Sequence, residues 1–283
     1  MSTTVTQSAR HDLIFVDAAL ARRMEAAEEY GDLRPTEVLM RTRPDLACAF
    51  ERIGGGTMCF SGKDSPVGRA HGLGFFNPIS EVILDHVEEF YRSRGVPAQI
   101  DVCPYTHPSM LELLKKRGYA IQEFNTVLGR YLYADEDFSL PAGVTVRAPR
   151  TGEIKKVSEI VDRGFGDGKP MGYAWLFAIW LETAINMTLV AEVDGQIAGG
   201  ASGLIVKEHN MAAFFGASTL PEFRKRGVQS ALLRKRLELA REAGCDLAVT
   251  LTMPGTASQR NAERAGFRVA FTKAVAVKNF QSP

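Results

Sequence analysis

Paired cysteines, paired histidines and long apolar runs are all missing from this sequence. The four cysteines, Cys48, Cys59, Cys103 and Cys245, show no CxxC or other paired spacing, so neither a thiolate metal site nor a disulfide framework can be read. The five histidines form no HxxxH pair, which removes the usual sign of a zinc-bearing helix, and no metal is expected. The most apolar stretch, Ala174 to Leu181, is far shorter than the roughly 18 residues that suggest a membrane span. Met1 to Arg10 is polar and lacks the apolar core of a signal peptide. The expectation is a soluble, cytoplasmic protein with no membrane partner. No P-loop and no Gly-x-Ser-x-Gly elbow is present. Gly72, Gly74 and Asn77 fail the dinucleotide pattern at its last position.

Charge is present in both signs but unevenly spread. The net charge is +1. Residues 1–140 hold 15 Lys+Arg against 20 Asp+Glu, a balance of −5, while the remainder holds 19 against 13, a balance of +6. The basic half suits an anionic ligand. The acidic half argues against a nucleic-acid surface running along the whole chain.

The sequence also repeats itself. One segment runs from Glu81 through Gly95, Ala98 to Val102, Pro104 and a helix ending at Gly118-Tyr119. Another runs from Gln229 through Gly244, Asp246 to Thr252, Pro254 and a helix ending at Gly266-Phe267. Each reads as helix, Gly stop, buried strand, Pro loop, helix, Gly stop, strand, because Gly supplies the left-handed residue that ends a helix. Alternation of this kind predicts an α/β fold. The breakers between Asp135 and Gly143 predict a linker, giving domains at 1–138 and 144–283. In the first, Leu13 to Val16 reads as a strand, Ala18 to Tyr30 as a helix, and Ala47 to Phe76 as three strands.

The stretch from Thr219 to Leu233 carries the chemistry. A strand ends at Pro221, a basic glycine-containing turn follows, and a helix begins. The first turn of a helix presents free N–H groups and the positive end of its dipole, which suits a phosphate. Gly227 permits a close approach to the backbone, and Arg224 and Arg226 offer charge-assisted contacts. This segment resembles the pyrophosphate loop of the GNAT acetyltransferases, whose pattern is Arg/Gln-x-x-Gly-x-Gly/Ala. Arg224 and Gly227 match, whereas Gln229 replaces the small third residue. Asn261 to Phe267 resembles the family's second motif. The resemblance covers about Val144 to Val277, and the N-terminal half resembles a degenerate second copy whose loop, Asn77 to Ser80, lacks the basic glycine pattern. It implies two GNAT-like α/β domains, each a mixed, mostly antiparallel sheet flanked by helices.

What the resemblance implies for function follows. Acetyl-CoA would be held by Ala217, Ser218, Thr219, Arg224, Lys225, Arg226, Gly227, Val228, Gln229, Ser230 and Asn261, and its acetyl group passed to a primary amine of a small molecule. The family's usual acid is a tyrosine four residues before Gly266, and that residue here is Ala262. Tyr173 and Ser258 are the remaining candidates in the C-terminal domain, with Tyr105 and His107 in the N-terminal half. Tyr173, Trp175 and Trp180 lie where the family shapes its acceptor pocket. A non-catalytic acyl-CoA-binding regulator, acylation of a protein or peptide amine, and another acyl donor are the alternatives. The sequence leaves a homodimer open.

Overall fold

The computed structural model describes residues 14–63, 65, 67–183 and 187–280. The chain forms two compact units, one made of Val16–Val127 with Ala270–Pro283 and the other built on Leu128–Val269. The division therefore falls inside two strands and not in the linker expected between Asp135 and Gly143. The physical reason is strand pairing: Ala274 to Lys278 pair antiparallel with Val102 to Ala98, so the last strand completes the first unit's sheet. The presumed linker is itself packed within the second unit. Phe138 is buried there, Arg234 donates to the Ser139 carbonyl, and Arg241 donates to the Glu136 carbonyl.

In the first unit, Asp17 caps helix α1 (Ala18–Thr42) by accepting from Leu20 N–H at 2.8 Å. The helix is much longer than the expected Ala18 to Tyr30 and runs through Pro35. The hydroxyl of Thr36 donates to the Asp32 carbonyl at 2.6 Å beside that proline. Strands β1 (Ala49–Ile53) and β2 (Gly56–Phe60) form a hairpin. Its two-residue turn, Gly54-Gly55, has φ of 59° and 84°, the paired positive values that match strand twist. Strand β3 (Ala70–His71) pairs antiparallel with β2 and parallel with β4 (Ala98–Val102). Helix α2 (Glu81–Arg92) is the crossover between β3 and β4, and helix α3 (Pro108–Lys116) follows β4. Leu84, Val87, Phe90, Ile100, Met110 and Ala276 form its core with their neighbours. The expected strand at Leu13 to Val16 does not form over Ile14 to Val16, where Phe15 is 86% exposed; Leu13 lies outside the described residues.

Two long strands, β5 (Ala120–Tyr131) and β11 (Arg268–Lys278), contribute residues to both units. The second unit orders its strands β5-β10-β9-β8-β7-β6. Strands β6 (Val144–Arg147), β7 (Leu189–Val193), β8 (Gln196–Val206) and β9 (Met211–Thr219) run antiparallel in turn, and β10 (Leu247–Thr252) lies parallel to β9. Helices α4 (Ile154–Phe165) and α5 (Ala174–Thr183) connect β6 to β7, α6 (Val228–Glu242) connects β9 to β10, and α7 (Ala257–Arg264) connects β10 to β11. Phe214 packs with Leu233 and Leu237 of α6, while its neighbour Phe215 meets Trp180 of α5. Adjacent strand residues face opposite ways, so α6 and α5 lie on opposite faces of this sheet.

The internal repeat is structural. Helices α2, α3, α6 and α7 all end on a glycine of positive φ: Gly95 at 69°, Gly118 at 73°, Gly244 at 79° and Gly266 at 85°. In each, the next residue's N–H returns to the last turn: Val96 to Tyr91, Tyr119 to Leu114, Cys245 to Ala240 and Phe267 to Ala262. That bond satisfies a terminal carbonyl and aims the chain into the following strand.

Candidate functional site

The pairing of β9 with β10 runs only from Met211↔Leu247 to Phe214↔Thr250. Beyond that point the two parallel strands no longer pair, and a wedge opens between the remainder of β9 and the end of β10. On its other side β9 shifts register against β8: Gly200 opposes Ser218, but Ser202 opposes Phe215. One residue of β8, Ala201, thus faces two of β9, Gly216 and Ala217, the mark of a bulge. Gly216 stands in it with φ +58°, and a side chain there would meet Ser202 Oγ at 2.7 Å. Phe215, Gly216 and Ala217 are the half-buried stretch of an otherwise buried strand. The bulge interrupts the ladder on the β8 side of this stretch, and past Phe214 its other side has no pairing with β10.

Neighbouring glycines let the surrounding elements close on this strand. A side chain on Gly199 would lie 2.3 Å from the Ser218 carbonyl, and one on Gly164 of α4 would lie 2.3 Å from Ser218 Oγ. That hydroxyl donates to the Val161 carbonyl at 2.8 Å, tying β9 to α4. Two buried polar atoms, Trp180 Nε1 on α5 and Thr252 Oγ1 at the end of β10, have no partner. Orphan polar atoms of this kind are costly unless a ligand or water meets them.

After β9 the chain makes a tight turn. Pro221 to Phe223 form a 3-10 turn, Lys225 takes φ +62°, and Gly227, at φ +84°, is the N-cap of α6. No side chain caps that helix and its first turn holds no acid, so the N–H groups of Val228, Gln229 and Ser230 form an open positive end. The glycine at 227 has its reason in the backbone: a side chain there would be strained and would meet Pro141 Cβ at 3.0 Å. Gln229, which replaces the small third residue of the pattern, lies back on β9, its amide donating to Thr219 Oγ1 at 2.9 Å.

The two arginines of the turn are already engaged. Arg224 pairs with Asp167 and donates to the Gly164 carbonyl at 3.2 Å, and Arg226 pairs with Asp194 at 2.6 Å. These are exposed pairs, which contribute little and exchange readily. The cradle proper is backbone.

The catalytic candidates are not brought together. Tyr173 sits before α5 and packs with Val157, Phe177 and Val190, its N–H donating to Asp162 Oδ1 at 3.0 Å. Ser258 is exposed on α7, with Asn261 half-buried one turn on, and α7 packs toward the α6 face through Ala262. Ala262 is buried there, so no hydroxyl is supplied at that position. Tyr105 and His107 have structural tasks in the first unit: Tyr105 donates to the Val16 carbonyl at 2.7 Å, and His107 caps α3 through Ser109 N–H.

Sequence reasoning missed Asp162. It is buried on α4 and accepts N–H bonds from Met171, Gly172 and Tyr173 at 2.9, 3.3 and 3.0 Å, fixing the loop before α5. It also missed Phe165, Phe177 and Phe215, which join the expected Trp180 in an aromatic series at centroid distances of 5.3, 5.6 and 5.8 Å. Neither had a local signal, since loop and aromatic partners meet only through packing.

In the first unit the corresponding strand end is closed. Thr106 Oγ1 donates to the Leu73 carbonyl at 2.7 Å and His107 N–H to the Gly74 carbonyl at 2.8 Å. Among the described residues one trio, Glu28, His71 and Asp101, has the geometry to hold a metal ion. Lys273, fully buried, places its ammonium on Glu28 and Asp101, so a side-chain cation already occupies the centre.

A wedge between two parallel strands, a bulge on its inner strand and an uncapped helix beyond it coincide with a family match. Residues 154–267 match the acetyltransferase (GNAT) family. This chain carries a GNAT acetyltransferase domain. The fold of the whole chain is that of solved GNAT proteins. A GCN5-related N-acetyltransferase from Kribbella flavida shares 17% identity over 93% of this chain and 96% of its own, with a TM-score of 0.63. Another from Sphaerobacter thermophilus shares 17% over 93% of each chain, at 0.58. A tandem GNAT protein from the clavulanic acid biosynthesis pathway shares 14% over 90% and 94%, also at 0.58. The search of curated proteins gave no match.

Proposed function

We propose that the GNAT domain transfers an acetyl group from acetyl-CoA to a primary amine of a small molecule by direct attack, and that the N-terminal unit is a degenerate copy without cofactor. The observation that carries this reading is the wedge past Phe214 and Thr250, with its bulge at Gly216 and the open N-terminus of α6 beyond. The fit is chemical: unpaired backbone and the orphan Thr252 Oγ1 and Trp180 Nε1 suit an amide-rich thiol arm, and uncapped N–H groups suit a pyrophosphate. Lys225, Arg224 and Arg226 supply the positive surround, and Asn261 lies on the flanking helix.

In the reaction the amine nitrogen bonds the thioester carbonyl carbon, whose oxygen takes negative charge. Backbone N–H around Ala217 to Thr219 stabilises that oxyanion. Collapse breaks the C–S bond, the thiolate leaves, and the nitrogen gives its proton to water or a base. β9 holds no carboxylate, so the base acts through solvent. Tyr173 is the proton donor to sulfur, with Ser258 the second candidate.

Calorimetry with CoA and thiol release from acetyl-CoA over an amine panel test this. One CoA per chain with amine-dependent thiol release is expected. Two sites per chain would show that the N-terminal unit is not degenerate. Binding without turnover on any amine would favour a regulator, a reading that the alanine at 262 supports.

A further inference from the structure

Helix α6 carries an arginine where a globular core has no evident use for one. Arg236 is 4% exposed. Among the described residues no carboxylate pairs with it. Its Nε donates to the Leu232 carbonyl at 3.2 Å, its Nη1 to the Ser202 carbonyl at 3.1 Å, and its guanidinium lies 4.8 Å over the Phe214 ring. Burial alone lowers its proton affinity, down to about 9, so it stays charged at neutral pH with no counter-ion to offset desolvation. A buried, unpaired charge is an expensive way to fill space, and an apolar side chain of similar volume would pack over Phe214 at less cost.

What the charge reaches explains its presence. Ser202 is the residue at which β8 has run past the end of its pairing with β7, whose last pair is Leu189↔Ala201, and has also shifted register against β9. Its carbonyl is held by Arg236. Its hydroxyl donates to the Phe215 carbonyl at 3.2 Å and stands against Gly216. Arg236, Ser202 and the Phe215–Gly216 backbone thus form one continuous series from helix to bulge. A guanidinium offers several donors in a fixed plane and can bond its own helix and the strand together, which a lysine cannot reproduce.

We propose that Arg236 is a positioning residue: through Ser202 it holds the β9 bulge in the shape that presents the Gly216–Ala217 backbone to the acyl carbonyl. The assignment rests on the acyltransferase reading for its catalytic consequence, but not for its structural one.

Two variants of the full chain test it, Arg236→Met and Arg236→Lys, each followed by thermal unfolding, amide hydrogen exchange, CoA calorimetry and thiol release. Arg236→Met should unfold no earlier than the parent, because it removes an uncompensated charge. Its Gly216 and Ala217 amides should exchange at least tenfold faster. CoA affinity should stay within twofold, turnover should fall at least tenfold at unchanged KM for acetyl-CoA, and added guanidinium should restore part of it. Arg236→Lys should be intermediate in exchange and turnover. Unaltered exchange at Gly216 and Ala217 in both variants overturns the proposal. So does an Arg236→Met protein with parental turnover. If Arg236→Met fails to fold, Arg236→Lys decides, and parental exchange and turnover there refute a role for the fork geometry. Should the parent bind no CoA, the acyltransferase reading falls while the exchange measurements still judge the positioning role.

Discussion

Single side chains decide how the candidate site is assembled, and not all of them announce themselves. Arg224 and Gly227 are visible in the sequence as a basic glycine turn, yet the structure gives them different work. Gly227 is required by its φ and by Pro141, and Arg224 is held by Asp167. Asp162 could not have been found from spacing, because its three partners lie nine to eleven residues on, in a loop. Replacing it with alanine should remove three hydrogen bonds to a carboxylate and lower stability by about 1–3 kcal/mol; denaturant unfolding measures this, and proteolysis should report a loosened 166–173 loop. Tyr173→Phe keeps the ring in its cluster and removes only the hydroxyl. If that group protonates the leaving thiolate, turnover should fall at least tenfold, since a general acid contributes about 100- to 10,000-fold. Steady-state kinetics with parental turnover would leave the proton to solvent.

Secondary-structure elements were the most legible level, and the reason is glycine. Four helix ends could be placed because each stops on a residue that only glycine adopts cheaply. The helix expected at Ala18 to Tyr30 continues in the structure through Pro35 to Thr42. The wedge between β9 and β10 was invisible, because a strand that ceases to pair keeps the same alternation as one that continues. Charge at the start of α6 gives an element-level test. Ser230→Glu puts a carboxylate in the exposed first turn, where the helix dipole favours it by about 0.3–1 kcal/mol. Folding should be unharmed or slightly improved, while CoA affinity should fall more than tenfold as the carboxylate takes the place of phosphate. Unchanged calorimetric affinity would remove the first turn of α6 from the cofactor site.

At the scale of the whole molecule, ionisable groups buried in the first unit set its pH response. His71 bridges Asp32 at 2.9 Å and Asp101 at 3.1 Å. Desolvation alone would lower its affinity for a proton, but bonds to Asp101 and Asp32 overcome it and hold the imidazole well above its usual value. Asp32 is likewise opposed by desolvation and held below its usual value by His71. A raised histidine stabilises fully below its unfolded value, about 6.5, and loses that contribution as pH rises through the raised one. A lowered aspartate stabilises above its ordinary value of 3.8 and loses it as pH falls through the depressed one. Stability from this pair is therefore greatest between those limits. His71→Gln should cost about 3–5 kcal/mol in that window, as a broken buried pair does. The difference from the parent should shrink toward alkaline pH, and melting curves at stepped pH would show it.

The pairing of Ala274–Lys278 with β4 also fixes an order of events during synthesis. Residues 16–127 leave the ribosome before 128–269, but the strand that borders β4 is translated after both. The intervening unit can fold as it emerges, whereas the earlier one must wait with an open strand edge, the sort of edge that invites aggregation or chaperone capture. A chain truncated before residue 270 and released from the ribosome should therefore be protease-resistant in its later half and sensitive in its earlier one, the reverse of the order in which the two were made.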